Sequence, residues 1–540
     1  LYGRYTSMFY WGNNYWTGSA ELCQILNEQH APHHNRKYIF NISKHDSDDL
    51  WWILLKHREI ICLIFFQRRT IHLGLCFPRA CSRQQVADLV SAVHAPLLHH
   101  TVLAVRSPEH GLWSELLLSF SMKANILQIF DQSVGADTVP VVHGLRSLSM
   151  VWVIFGHTCI VVFKYADNTA LRAILEKSFW FQLIISAVYS VDTFFCLGGM
   201  LVSFLYFRTN AKGKLERLTK GRRKFTAGVL QFLGLMGYRF ARLTAPYLFM
   251  LGVVEVTMKW FAHNAVFDPP AMDHETCPNY WWRNLLYINT LFPVDQMCML
   301  WSWYLSDDTQ FYAVSAILLI LATSHFKLSL VLTGVFFLSS LFTTGYVSWT
   351  SQHIPNSEDP FTQFDKIYDK PWTRLGPYLV GMATGWILFK TNLKIRMSRV
   401  FCTGTLLFLI FGLYRTELSV GSAAVYSALS HSLWAASIGW VIIACSTGHG
   451  GWVRPLLSAP VLYPFSRVTY CAYLVHPVVL RVVAMYLTHP IHLGEMLVFV
   501  LFLGLTVISY FLAFLISVAF EAPIVTMLKI VSPQKKPHRV

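Results

Sequence analysis

Apolar runs of roughly 20 residues, the length that crosses the hydrocarbon core of a bilayer, recur from about residue 141 onward and constrain this chain more than any other feature. Ten of them fall near 142–163, 183–206, 229–258, 300–322, 328–346, 373–390, 400–414, 424–446, 466–488 and 496–519. With 54% hydrophobic and 14% charged residues, against about a quarter charged in soluble proteins, water alone would not keep the chain in solution. The expectation is an all-α polytopic membrane protein of about ten transmembrane helices, surrounded by membrane lipid.

The net charge of +15 raises the question of nucleic acid, and the placement of the charges answers it. Arg208, Lys212, Lys214, Arg217, Lys220, Arg222, Arg223 and Lys224 stand against the single acid Glu216, in a loop between two apolar runs. That is a cytoplasmic loop by the positive-inside rule, and not a nucleic-acid surface. If the first run leads from the cytoplasm outward, the loop holding Lys390, Lys394, Arg396 and Arg399 and the Lys535-Lys536 tail also fall inside. Cys277 and Cys298 then fall outside, where they can form a disulfide.

Residues 1–130 read differently. They are rich in His and aromatic residues, carry Cys23, Cys62, Cys76 and Cys81, and contain the N-glycosylation sequon Asn41-Ile42-Ser43. Both features favour a small lumenal or extracellular region, with a plasma-membrane or endomembrane location. The four thiols permit three disulfide connectivities, and their spacing is too wide for a zinc site, so no metal is expected. A few buried thiols and a chance sequon are the plainer alternative. The chain starts at Leu1 and not at Met, so a start or signal peptide is expected ahead of it.

The division is then 1–130 for this region, 131–525 for the membrane domain and 526–540 for a basic cytoplasmic tail. It leaves a conflict, because an outer N-terminal region followed by a span that starts inside needs one more crossing. Val86–Val105 holds several His and an Asp, and 51–66 is broken by Lys56, His57, Arg58 and Glu59.

Ionisable side chains at the centre of a membrane helix cost roughly 2.5 kcal/mol or more, so each calls for a partner, a cavity or a task. In the first run, eleven steps of about 100° bring Arg146 and His157 within about 20° of one another, about 16 Å apart along one face. A guanidinium near the cytoplasmic edge can hold the phosphates of a donor while the imidazole, deeper, moves a proton. The alternative is a helix-end Arg reaching for the interface and a structural His bonded to a neighbouring helix.

Further candidates follow the same rule. Asp192 lies in the second run and is expected to orient an imidazole. Arg239 and Arg242 are three apart, on one face, and suit phosphates or simple flanking charge. The stretch 301–312, with Trp303, Tyr304, Asp308 and Gln310, is too polar for an anchor and is expected to line a cavity. Tyr473 and His476 share a face ahead of Pro477, and Glu521 closes the last run.

These residues sit in segments that together resemble the acyltransferase-3 family, and within it the nose-resistant-to-fluoxetine proteins of nematodes and insects. HGLRSLSMVWVIFGHT (143–158) is similar to that family's Arg-ten-residues-His signature, and SVDTFFCLGGMLVS (190–203), YRFARLTAPYL (238–248) and WSWYLSDDTQFY (301–312) follow in family order. KPWTRLGPYLVG (370–381) and SRVTYCAYLVHP (466–477) continue it over roughly 118–525, and GLCFPRACS (74–82) resembles the subgroup's lumenal domain. Departures are Gly198 where the family commonly has Ser, and a second acid, Asp307, beside Asp308. The hydrophobic segment usual before the first motif is also absent.

The resemblance implies an O-acyltransferase that moves an acyl group from acyl-CoA, as donor substrate and with no permanently bound cofactor, to an acceptor. That acceptor is a sugar, a lipid or another hydrophobic or hydroxyl-bearing small molecule. His157 is then the general base or a transient acyl carrier, Asp192 its orienting acid and Arg146 the donor's anchor. The rival class is a transporter or lipid-handling protein that uses the same buried groups without covalent chemistry.

Overall fold

The computed structural model of the chain describes residues 15–16, 72–73, 112–133, 138–168, 174–211, 213, 223–267, 269–355, 363–390, 399–416 and 418–531. Cys23, Cys62, Cys76, Cys81 and Asn41 lie outside the described residues. The chain divides into two compact units, Leu1–Ile126 and Leu127–Val540. In the first, a parallel pair of two-residue strands, Tyr15–Trp16 with His72–Leu73, accompanies the helix Leu112–Leu118.

The second unit is helical. Its helices are α1 (Val141–Lys164), α2 (Tyr189–Ala211), α3 (Lys224–Asn264), α4 (Asp273–Leu285), α5 (Trp303–Ser324) and α6 (Phe326–Thr350). They continue as α7 (Pro371–Lys390), α8 (Arg399–Phe411), α9 (Val420–Ser446), α10 (Thr469–Met485) and α11 (Glu495–Ile516). Among the described residues seven helical segments are long and apolar enough to cross a membrane: Val141–Lys164, Phe179–Ala211, Phe225–Asn264, Leu300–Ser324, Phe326–Thr350, Val420–Ser446 and Glu495–Val531. The other three expected spans are helices too, but α8 and α10 are shorter and α7 is not among the seven.

Helix directions follow from contacts made at both ends of a pair. His143 of α1 meets Ser466 just ahead of α10 at 2.9 Å, His157 meets His476 at 2.8 Å, and beyond the two helices Ala166 bridges to Ile491. So α1 and α10 run parallel. So do α2 and α7, which join Asp192 to Arg374 near their starts and pack flush thereafter.

Glycine makes that closeness possible. A Cβ on Gly381 would lie 2.1 Å from the Cys196 carbonyl oxygen, and one on Gly385 would lie 2.3 Å from that of Met200. From the other side, a Cβ on Gly199 would come within 2.1 Å of the Tyr378 carbonyl oxygen. Small residues let membrane helices approach backbone to backbone, where packing replaces the missing hydrophobic drive.

At one end of the bundle a disulfide joins Cys277 of α4 to Cys298, just ahead of α5, with Cα atoms 4.6 Å apart. Asp273, the first residue of α4, accepts from the Met299 backbone N–H at 2.9 Å and pairs with Arg481 of α10, which lies over the Trp301 ring at 4.4 Å. A bonded carboxylate and a stacked guanidinium thus close the bundle where the helices end. We call this the disulfide face.

Candidate active site

A cavity of about 1100 Å³ opens between α1, α2, α3, α5 and α10. Along α1 it is lined from Arg146 to Lys164, 18 residues or about 27 Å of helix, close to the hydrocarbon thickness of about 30 Å. Arg146 and His157 both line it, as their shared face requires.

His157 is held from behind. Its Nδ1 lies 2.8 Å from Nε2 of His476, whose own Nδ1 lies 2.9 Å from the Ala472 carbonyl oxygen. A carbonyl can only accept, so His476 Nδ1 carries a proton. In neutral His476, Nε2 is then an acceptor and His157 Nδ1 the donor, which leaves the lone pair of His157 on Nε2. Pro477 explains part of this geometry: it has no N–H to give to the Tyr473 carbonyl, so the helix ladder is already broken beside the turn where His476 reaches back.

Asp192 is not the acid that fixes His157, contrary to the sequence expectation. It is fully buried, 2.7 Å from His431 Nδ1 and 3.2 Å from Arg374. The imidazole it orients is that of α9. The expectation failed because the sequence gives no sign of which helices α2 faces, and at Asp192 these are α7 and α9.

The three arginines behave differently from one another. Arg239 is ion-paired with Asp308 and lies over the Tyr312 ring at 4.3 Å. Arg242 is 3.5 Å from Glu521, whose other oxygen accepts from Ser517 at 3.1 Å and meets the Cys471 thiol at 3.4 Å. Glu521 sits on a π-helical turn, Ser517–Glu521, whose extra residue per turn swings the carboxylate toward the cavity. Arg146 makes no hydrogen bond or ion pair among the described residues. Arg239 and Arg242 are matched by Asp308 and Glu521, whereas Arg146 has no acid within ion-pair distance among the described residues.

The aromatic residues of the expected set line the same space. Trp303, Tyr304 and Tyr473 all face it, Tyr304 and Tyr473 edge to face at 5.3 Å, with the Tyr473 hydroxyl donating to the Trp301 carbonyl at 2.5 Å. Gln310 does not. Its amide donates to the Tyr287 carbonyl and the Thr290 hydroxyl at 3.1 and 3.0 Å, outside the cavity, so it braces a loop instead of a ligand.

Arg374, His431 and Arg481, ionisable groups held in ion pairs inside the bundle, escaped the sequence reading. Each is an ionisable residue inside an apolar helix, and the rule that singled out Asp192 and His476 would have found them.

Long apolar helices around a largely apolar chamber that holds several charged side chains fit an integral multi-pass membrane protein. Residues 140–520 match the family described as Acyltransferase domain, and residues 1–90 match the one described as Nose resistant-to-fluoxetine protein, N-terminal domain. The chain therefore belongs to the acyltransferase-3 family, in its nose-resistant-to-fluoxetine subgroup. It is 31% identical over 447 residues to Nose resistant to fluoxetine protein 6 of Caenorhabditis elegans, covering 76% of this chain and 53% of that protein. It is 26% identical over 266 residues to Regulator of hypoxia-inducible factor 1 of the same organism, covering 42% of this chain and 50% of that protein. The chain thus spans about half the length of the curated relatives it matches. No solved structure matches.

Proposed function

We propose that this protein is an O-acyltransferase that takes an acyl group from acyl-CoA at one membrane face and passes it to a hydroxyl of a small-molecule, sugar or lipid acceptor. The observation that carries this reading is the His157–His476 pair, which leaves a bare imidazole nitrogen beside a cavity that also holds the unmatched Arg146. His157 Nε2 takes the proton of the acceptor hydroxyl as its oxygen attacks the thioester carbonyl. The C–S bond breaks, the CoA thiolate leaves, and it recovers the proton from the imidazolium. Arg146 holds the donor's phosphates, and a cavity of about 1100 Å³ has room for a long flexible arm.

The disulfide and the positive-inside rule support a disulfide face turned to the lumen or exterior, with the basic loops in the cytoplasm. We also propose that α7, α8 and α10 complete ten crossings, because parallel pairs α1–α10 and α2–α7 are what strict alternation requires.

The test is radiolabelled acyl-CoA supplied to the purified protein. General base catalysis contributes about 10²–10⁴-fold, so His157→Ala should lose transfer by that factor while its helical content and membrane insertion stay unchanged. Full activity in the variant ends the assignment. A second reading, a carrier for hydrophobic molecules, draws on the reach of the cavity along the whole of α1. Flux into vesicles with no label transferred would favour it.

A further inference from the structure

A second, smaller cavity of about 110 Å³ takes no part in the mechanism above. It lies between the start of α2, the segment ahead of α7, the end of α8 and the first half of α9. At about 30 Å³ per water molecule it holds a few waters or one small organic group, far too little for an acyl chain.

Apolar side chains such as Leu409 and Leu413 form much of its wall, and the polar groups set into that wall are electrically balanced. Arg374 and His431 line it, and both rest on the fully buried Asp192. The guanidinium charge is therefore already matched, which disfavours an ionic ligand. Ser427, Ser430 and the Tyr426 hydroxyl complete a wall of hydrogen-bonding groups and one aromatic face, the combination that suits a neutral hydroxyl-bearing molecule.

Three residues line both cavities, Ile185, Val188 and Tyr368, and of these Tyr368 is the aromatic one. Arg374 holds it twice, lying over its ring at 4.4 Å and donating from Nε to its carbonyl at 2.9 Å. On the other side its ring meets Trp303 at 4.9 Å, and Trp303 lines the main cavity. The partition between the two spaces is thus built from Tyr368 together with Ile185 and Val188.

We propose that the small cavity is a separate binding site for a neutral hydroxyl-bearing group, the reacting end of the acyl acceptor, which passes Tyr368 to reach His157. Its purpose rests on the transferase reading. Binding itself does not.

The test uses the full chain in detergent, with Ser430→Cys as a reporter thiol in the wall and glycerol as the probe. A small methanethiosulfonate reagent should label this thiol above the background of the native chain, and molar glycerol should slow the labelling several-fold more than it slows labelling of free glutathione. In acyl-transfer assays Ser427→Trp, which fills the cavity, should raise the acceptor's KM about tenfold or more and leave that of acyl-CoA unchanged. Ser427→Leu is the second variant should the tryptophan not fold.

Failure to label, or labelling indifferent to glycerol, overturns the site. An unchanged acceptor KM in a folded, filled variant overturns the route past Tyr368. Glycerol protection in a protein that transfers no acyl group supports the site and overturns only the reading of the main cavity.

Discussion

An imidazole serves as a base when one nitrogen is held protonated and the other is left bare, and in this protein His476 enforces both through the Ala472 carbonyl. In the proposed mechanism His476 acts through His157, so its loss should be read in the turnover and not in the fold. His476→Phe is expected to lower kcat toward the loss seen for His157→Ala, within the about 10²–10⁴-fold range of base catalysis. His476→Gln, whose amide oxygen can still accept from His157 Nδ1, should recover a large part of it, with KM for the donor little changed in either variant. A purely structural role would instead show both variants losing thermal stability together and neither rescuing rate. The shared face of Arg146 and His157 was legible in the sequence because helical periodicity is local. Their partners were not: His476 lies 319 positions from His157, and His431 lies 239 from Asp192. Nothing in a single sequence states which buried acid meets which imidazole, so the reading singled out Asp192 but paired it with His157 where the structure pairs it with His431.

At the scale of helices, the ten apolar runs were legible as ten helices because length and hydropathy decide that question before any packing does. What the runs did not disclose is how far helices extend past the apolar part: α3 spans 41 residues around an apolar run of about 30. Nor did they disclose the π-helical turn that aims Glu521 or the backbone contact of α2 with α7, since both depend on what stands opposite. That contact carries its own prediction. In Gly381→Leu the first added carbon would meet the Cys196 carbonyl at 2.1 Å, so the helices must part, at a cost of about 1–3 kcal/mol or more. The parting would loosen the Asp192–Arg374 pair at the same helix interface. A thermal-unfolding midpoint well below that of the native protein is expected. Gly252→Ala in α3, where a Cβ meets nothing within 4 Å, should leave the midpoint unchanged or slightly raised. Equal midpoints for the two variants would mean that α2 and α7 are not held backbone to backbone.

For the molecule as a whole, orientation and the proposed chemistry are linked, because a donor held at Arg146 and an acceptor arriving from the disulfide face enter from opposite sides when α1, α2 and α3 each cross the membrane. Parallel pairing of α1 with α10 and of α2 with α7 requires an even number of reversals between the members of each pair. That condition is met when α7, α8 and α10 all cross, although α8 and α10 are only 13 and 17 residues long. Short spans are tolerated where the bilayer thins or neighbouring helices cover their ends. The consequence is a fixed grouping of exposed loop positions. In sealed vesicles, an impermeant maleimide should reach cysteines at Ala211 and His449 from one side, and cysteines at Asn264, Thr416 and His489 from the other. Asn264 ends α3 and precedes the disulfide, so its side is the face where acceptor is expected, and the basic 207–224 segment marks the opposite one. Thr416 labelled together with Ala211 would remove α8 as a crossing, and His489 labelled together with His449 would remove α10. Either result breaks the alternation and contradicts the parallel pairing of α1 with α10.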